Sequence, residues 1–227
     1  MSFIVAIDGP AGTGKGTITK LIAEELGLIN IDTGAMYRCV ALEALRKNID
    51  DTEIEKVEEI LKNIEIKFKR ENGNIFVFLN GEDVTKKIRT PEVNACVAKF
   101  AALKCVRDKM TPLQQKMGKN SDIIMEGRDI GTAIFPKANV KIYLDASAEE
   151  RANRRYKQNI ENGINQSYED VLESIKQRDI LETTRELNPL RKAEDATLVD
   201  TTYLTIEEVK EKILEIIKEK QHDKSNS

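Results

Sequence analysis

Nine residues near the start constrain this chain more than any other feature: Gly9-Pro10-Ala11-Gly12-Thr13-Gly14-Lys15-Gly16-Thr17. They fit the pattern G-x-x-x-x-G-K, with Gly16 where the strict pattern has Ser or Thr and Thr17 one place later. An apolar run at residues 3–8 precedes them. After them Ile18, Leu21, Ile22 and Leu26 fall on one helical face that Gly27 ends. Strand, glycine loop and helix in this order let backbone N–H groups curl around phosphate oxygens at a helix N-terminus. Lys15 is expected to reach the β- and γ-phosphates of a bound nucleotide, and the Thr17 hydroxyl to be a Mg2+ ligand. A plain glycine turn without a ligand is the competing reading, and the lysine in register disfavours it.

The rest of the chain alternates strand and helix. Residues 28–31, 122–125, 140–144 and 198–199 are further apolar strand candidates. Helical patterns cover residues 35–47 and 53–62, about 90–103, about 106–117 and about 147–162, then 168–178 and a last helix after Thr205. Thr90-Pro91 is an N-cap with proline at the first helical position; Ser147 with Glu150, and Thr205 with Glu208, are capping boxes. In the last helix Ile206, Val209, Ile213, Ile216 and Ile217 form the expected buried stripe. Between residues 64 and 84 the period changes to two, with tight turns expected at Asn72-Gly73 and Asn80-Gly81. The expected fold is α/β, a doubly wound five-stranded parallel sheet of P-loop type with a small antiparallel meander inserted.

Composition removes several chemistries. The single histidine, His222, falls in a polar tail at residues 221–227 that is expected to be disordered, so serine–histidine triads, cysteine–histidine dyads and histidine-ligated zinc are excluded. The three cysteines, Cys39, Cys96 and Cys105, lack metal-ligand spacing and read as reduced thiols. A net charge of −3 and 5% aromatic residues argue against nucleic-acid binding. No apolar run approaches the ~18 residues of a membrane span, and no basic leader precedes the first strand, so a cytoplasmic location is expected.

Two more loops carry candidate ligands. Asp32-Thr33-Gly34-Ala35-Met36-Tyr37-Arg38 follows the second strand, where Arg38 could clamp a phosphate and Thr33 donate to it. Glu126-Gly127-Arg128-Asp129-Ile130-Gly131-Thr132 follows a buried strand, so Arg128 and Asp129 emerge at the same sheet edge as the phosphate loop. The adjacent Arg and Asp could instead be a structural ion pair. Arg151, Arg154 and Arg155, then Arg178, Arg185 and Arg191, form an arginine-rich third cluster. Arg151 and Arg155 share a helix face, so an anionic ligand or the nearby Glu149 and Glu150 must offset their repulsion. Phosphoryl transfer needs such charge and little else from a protein.

These loops, with Ile88-Arg89-Thr90, the segment from Val140 to Ser147, Glu149-Glu150-Arg151-Ala152 and the segment from Pro189 to Ala196, resemble the bacterial cytidylate kinases over nearly the whole chain. The resemblance implies phosphoryl transfer from ATP to CMP or dCMP with Mg2+, by a cytoplasmic enzyme expected to be a monomer. It implies one domain over residues 1–227, with an acceptor-binding insertion at about 38–107 and a lid at about 148–190. By the same resemblance, Gly9, Pro10, Ala11, Gly12, Thr13, Gly14, Lys15, Gly16 and Thr17 hold ATP, with Arg151 and Arg155 of the lid. Thr33, Tyr37, Arg38, Gly127 and Arg128 hold the acceptor phosphate, while Arg107 and Asp129 read the cytosine edge. Arg178, Glu182 and Arg185 meet sugar or phosphate, and Lys15, Arg128, Arg154 and Arg185 carry the catalytic charge. Three positions depart from the family pattern: Ala98 replaces a serine, and Glu182 and Glu126 each replace an aspartate. A kinase of the same fold for AMP, UMP or shikimate, and a non-catalytic nucleotide sensor, are the remaining alternatives.

Overall fold

The computed structural model describes residues 2–71, 74–119 and 121–225. The chain divides into two compact units, one of Met1–Ile31 with Gly118–Ser227, the other Asp32–Met117.

The first unit is built on a five-stranded parallel sheet. Its strands are β1 (Ile4–Asp8), β2 (Ile29–Asp32), β6 (Ile123–Gly127), β7 (Val140–Asp145) and β8 (Thr197–Asp200), in the order β2-β6-β1-β7-β8. Asp8 lies opposite Gly127 on one side and Tyr143 on the other, and Asp145 lies opposite Asp200. The loops leaving β1, β6, β7 and β8 therefore start from one sheet edge, where open α/β sheets bind ligands. Helices α1 (Lys15–Leu26) and α8 (Ile206–Ser225) pack Ile18, Ile22, Val209, Ile213, Leu214 and Ile217 against Val5, Ile7, Ile142, Leu144 and Val199. Val5, Ile7 and Leu144 are fully buried, which fixes the strand from which the phosphate loop leaves.

Three expectations change here. Ile206 is 48% exposed, because the buried face of α8 begins at Val209 and takes in Leu214. The same helix continues to Ser225, so the polar residues after Lys220 extend it and only residues 226–227 of that tail lie outside the described ones. Helix α7 runs Tyr168–Thr184, past the expected end at Arg178, since no residue before Arg185 breaks it. That extension puts Arg178 and Glu182 one turn apart on a single helix. Helix α6 (Ala148–Glu161) precedes it, and Ala152 of α6 packs with Val171 and Ile175 of α7. Of the two capping boxes, Thr205 and Glu208 make both reciprocal bonds, at 2.8 and 3.2 Å. Ser147 caps Glu150 at 3.2 Å, but the Glu150 carboxylate turns away to Arg154.

The second unit holds α2 (Thr33–Arg46), α3 (Ile54–Asn63), α4 (Pro91–Ala102) and α5 (Lys104–Met117). It also holds the antiparallel sheet β3 (Ile66–Glu71), β4 (Asn74–Leu79) and β5 (Glu82–Asp83). The Asn80-Gly81 turn forms as expected, both residues having positive φ (50° and 85°), the geometry that lets a two-residue turn join twisted strands. The expected Asn72-Gly73 turn lies outside the described residues. Met36, Val40, Ala44, Val57, Val84, Ile88, Val97, Phe100, Val106 and Met110 form its core. Cys39 is buried there, and all three cysteines are free thiols.

Candidate active site

In the first unit the phosphate loop joins β1 to α1. Gly9 has φ +147°, and a Cβ there would stand 2.0 Å from the Leu144 carbonyl oxygen, so only glycine lets the chain leave β1 this close to β7. Gly14, at φ +88°, is the N-cap of α1, and no side chain caps the amides of its first turn. Lys15 is buried, and its Nζ donates to the Pro10 carbonyl at 2.6 Å and to Thr13 Oγ1 at 3.2 Å. Burial, and next the Arg128 guanidinium, pull its ammonium below the ordinary lysine pKa, although Glu126, Glu182 and Asp8 oppose this. Uncapped amides and a buried cation in one loop fit a polyphosphate. The exposed Thr17 hydroxyl, in the first turn of α1, is a hard oxygen donor of the kind Mg2+ takes.

Gly16 and Glu126 are neighbours in the fold. A Cβ on Gly16 would lie 3.2 Å from Glu126 Oε1, and Thr19 Oγ1 donates to that oxygen at 3.4 Å. Glutamate at the end of β6 reaches one methylene further than aspartate, into space that a glycine leaves open.

The arginines form a connected network in this unit. Arg128 Nε donates to Glu182 Oε2 at 2.6 Å, and Arg178 Nε donates to Glu182 Oε1 at 2.8 Å. Burial alone would raise the Glu182 carboxyl, but Arg128 and Arg178 outweigh it and hold it down to about 2. Arg185 gives Nε and Nη2 to the Asn188 carbonyl, at 2.9 and 2.5 Å, and its Nη2 lies 3.5 Å from Asp129 Oδ1. Arg128 and Asp129 are thus not each other's structural ion pair: each faces a group beyond β6.

On α6, Arg151 donates to the Ala11 carbonyl of the phosphate loop at 3.3 Å. Asp179, and not Glu149 or Glu150, balances it through bonds of 3.0 and 2.7 Å. Arg154 pairs with Glu150 and donates to Thr201, whose own hydroxyl donates to the Thr13 carbonyl at 3.4 Å. Arg155 Nη1 donates to Gln158, and Arg191 is exposed. Asp179, Thr201 and Asn188 hold these arginines, and sequence reasoning misses all three. The carboxylate one residue after Arg178 was the only visible sign.

In the second unit, Asp32 is the hub. Its Oδ1 caps α2 through the Ala35 amide at 3.0 Å, and its Oδ2 takes Arg38 at 2.7 Å and Arg89 at 3.2 Å. Thr33 and Tyr37 are buried on the same helix start. Arg107 of α5 is buried, donates to the Ala101 carbonyl at 3.0 Å, and stacks 5.6 Å from the Tyr37 ring centroid. Arg89, on a 3-10 turn at Lys87–Arg89, is a second cation on the Asp32 carboxylate that no local sequence pattern marks.

A phosphate loop on the first strand of a five-stranded parallel sheet, with guanidiniums gathered at the same edge, defines a P-loop kinase, a class of phosphotransferase. The cytidylate kinase family model matches residues 5–219. The cytidylate kinase of Caldicellulosiruptor saccharolyticus is 51% identical over 212 residues, 93% of this chain and 94% of that protein. That of Bacillus subtilis is 48% identical over 216 residues, 95% and 96% of the two chains. Among solved structures, an uncharacterized protein from Eubacterium ventriosum aligns with a TM-score of 0.53 at 10% identity, over 96% of this chain and 99% of that one, a likeness of fold alone. The chain belongs to the cytidylate kinase family. No helix among the described residues is long and apolar enough to cross a membrane.

Proposed function

We propose that this chain transfers the γ-phosphoryl group of ATP to CMP or dCMP, giving ADP and CDP or dCDP, as a cytoplasmic monomer. The observation that carries the reading is Lys15 buried at the start of α1, whose N-cap makes no side-chain cap, beside the linked set Arg128, Glu182 and Arg178. The bond from the γ-phosphorus to the bridging oxygen of ADP breaks, and a bond to an acceptor phosphate oxygen forms. That acceptor oxygen is already ionised at neutral pH, since a phosphate monoester loses its second proton near about 6. No strong side-chain base is needed, which suits a chain whose one histidine lies in α8.

Each residue then has a task. The loop of residues 9–17, through its backbone amides other than at Pro10, and the Lys15 ammonium hold the β- and γ-phosphates, with Arg151 and Arg155 of a lid at about 148–190. Mg2+, held at Thr17 and by phosphate oxygens, would neutralise charge between the β- and γ-phosphates. Arg128, Arg154 and Arg185 offset charge on the transferring group. Thr33, Tyr37 and Arg38, in the acceptor-binding insertion at about 38–107, and Gly127 with Arg128, take the acceptor phosphate. Arg107 and Asp129 read the base, and Arg178, Glu182 and Arg185 meet sugar and phosphate. The test is ADP release from Mg-ATP with CMP, dCMP, UMP, AMP and shikimate. Fast turnover on CMP and dCMP alone is expected. Preference for another acceptor would overturn the base assignment, and tight ATP binding without turnover would point to a sensor.

A further inference from the structure

We propose that Asp8, which touches neither substrate in the reading above, is the positioning residue that sets the acceptor loop after β6 by holding two of its backbone amides. The inference rests on the proposed acceptor role of Arg128 and Asp129.

Asp8 is the last residue of β1, immediately before Gly9 of the phosphate loop. Its Oδ1 accepts from the Ile130 amide at 2.8 Å, and its Oδ2 from the Gly131 amide at 2.7 Å. Those amides open the single π-turn Ile130–Ile134, directly after Arg128 and Asp129. Asp129 itself sits at φ −146°, ψ 23°, and its side chain does not cap the turn. One carboxylate therefore bridges the end of one strand to the loop of its neighbour, in register with Gly127. The fit is close on the far side as well. A Cβ on Gly131 would lie 3.4 Å from Asp8 Oδ2 and 3.2 Å from Lys141 Cδ. Both oxygens are used, and only an ionised carboxylate can accept at both; a protonated acid or an amide offers one good acceptor there.

Asp8 is 5% exposed, and burial, with a smaller push from Asp129, raises its pKa to about 6 although the two amides and Lys15 lower it. The groups that face it are Asp129 and Arg128 from the acceptor loop, Lys15 from α1, and Tyr143 and Lys141 from β7. Its loss of charge falls inside the range in which the enzyme can be assayed. Above that pH both amides are held; below it one is released, and Arg128 and Asp129 lose their fixed setting.

The test is calorimetric titration of the wild type and of Asp8→Asn with CMP and, separately, with ATP. The Kd for CMP should rise about tenfold in the variant near pH 8, with the Kd for ATP within about twofold. The ratio of variant to wild-type Kd should then fall towards one near pH 5, where the wild type carries the same single acceptor; taking the ratio cancels the titration of the CMP phosphate. A ratio unchanged with pH, or equal losses for CMP and ATP, would overturn the positioning role. Should the variant not fold, the wild-type amide resonances of Ile130 and Gly131 should titrate together with a midpoint near 6, and resonances flat from about pH 8 to 5 would overturn it. Failure of the wild type to bind CMP at any pH would overturn the acceptor assignment and this inference with it.

Discussion

Arg151 and Asp179 meet as a two-bond pair at 3.0 and 2.7 Å, joining α6 to α7 while the same guanidinium reaches the Ala11 carbonyl of the phosphate loop. Helices α6 and α7 are thereby tied to the phosphate loop. Asp179→Ala leaves Arg151 without its carboxylate, and Asp179 is partly exposed, so about 1–2 kcal/mol of stability is expected to go. A thermal melt should fall by roughly 5 °C. The KM for ATP should rise several-fold while that for CMP stays level; an equal rise in both would reject the assignment of Arg151 to ATP.

Burial makes the charged form of Lys15 costly to the fold. Its pKa lies below the ordinary value. The cost is therefore full below the depressed pKa and lifts as pH rises through the unfolded value of about 10.4. Lys15→Met should melt no lower than the parent at neutral pH, yet lose about a thousandfold in turnover. Turnover near the parent's in a folded variant would end the phosphate-loop reading.

Gly16 and Glu126 should be energetically coupled. Gly16→Ala brings a Cβ to 3.2 Å from Glu126 Oε1 and must displace it. Turnover is expected to drop about tenfold, with Glu126→Asp mild by itself and the double variant recovering most of the loss. Additive effects in the cycle would show that the two residues do not meet.

Glu182 supports acid-sensitive stability. Its folded pKa of about 2 lies below the ordinary 4.5. The stabilisation is present in full above 4.5 and disappears as pH falls through 2. Glu182→Gln should lose on the order of 3 kcal/mol at neutral pH, and the gap from the parent should close towards pH 2. Urea unfolding at a series of pH values measures this. A gap constant with pH would mean that its charge is not what stabilises.

Asp129→Ala should erode selection of CMP over UMP more than it weakens ATP binding, since a lost polar contact to a base edge leaves a buried partner unsatisfied. Competitive assays with both acceptors check it, and equal losses for CMP and UMP would remove Asp129 from base reading.

The phosphate loop was legible because its parts are local. Glycine spacing, the apolar strand before it and the amphipathic helix after it all lie within 27 residues, so short-range physics dictates the conformation. The meander was legible from its period of two and from Asn80-Gly81. Helix ends were less so. The end of α7 and the exposed Ile206 depend on what packs alongside, which periodicity does not contain.

By itself the sequence determined the α/β class, the phosphate loop, the arginine inventory and the family likeness, because these follow from residue type and local order. Only the tertiary structure decided the pairings: Glu182 between Arg128 and Arg178, Asp179 on Arg151, Glu126 in the space beside Gly16, and Asp8 on the amides of Ile130 and Gly131. Each joins residues from separate elements or settles which of several carboxylates a cation meets. Asp8 and Gly131 are 123 positions apart in the chain, and the parallel register of β1 with β6 is what brings them together. Charge is written in the sequence; which charges share a low-dielectric site is set by how the sheet stacks its strands.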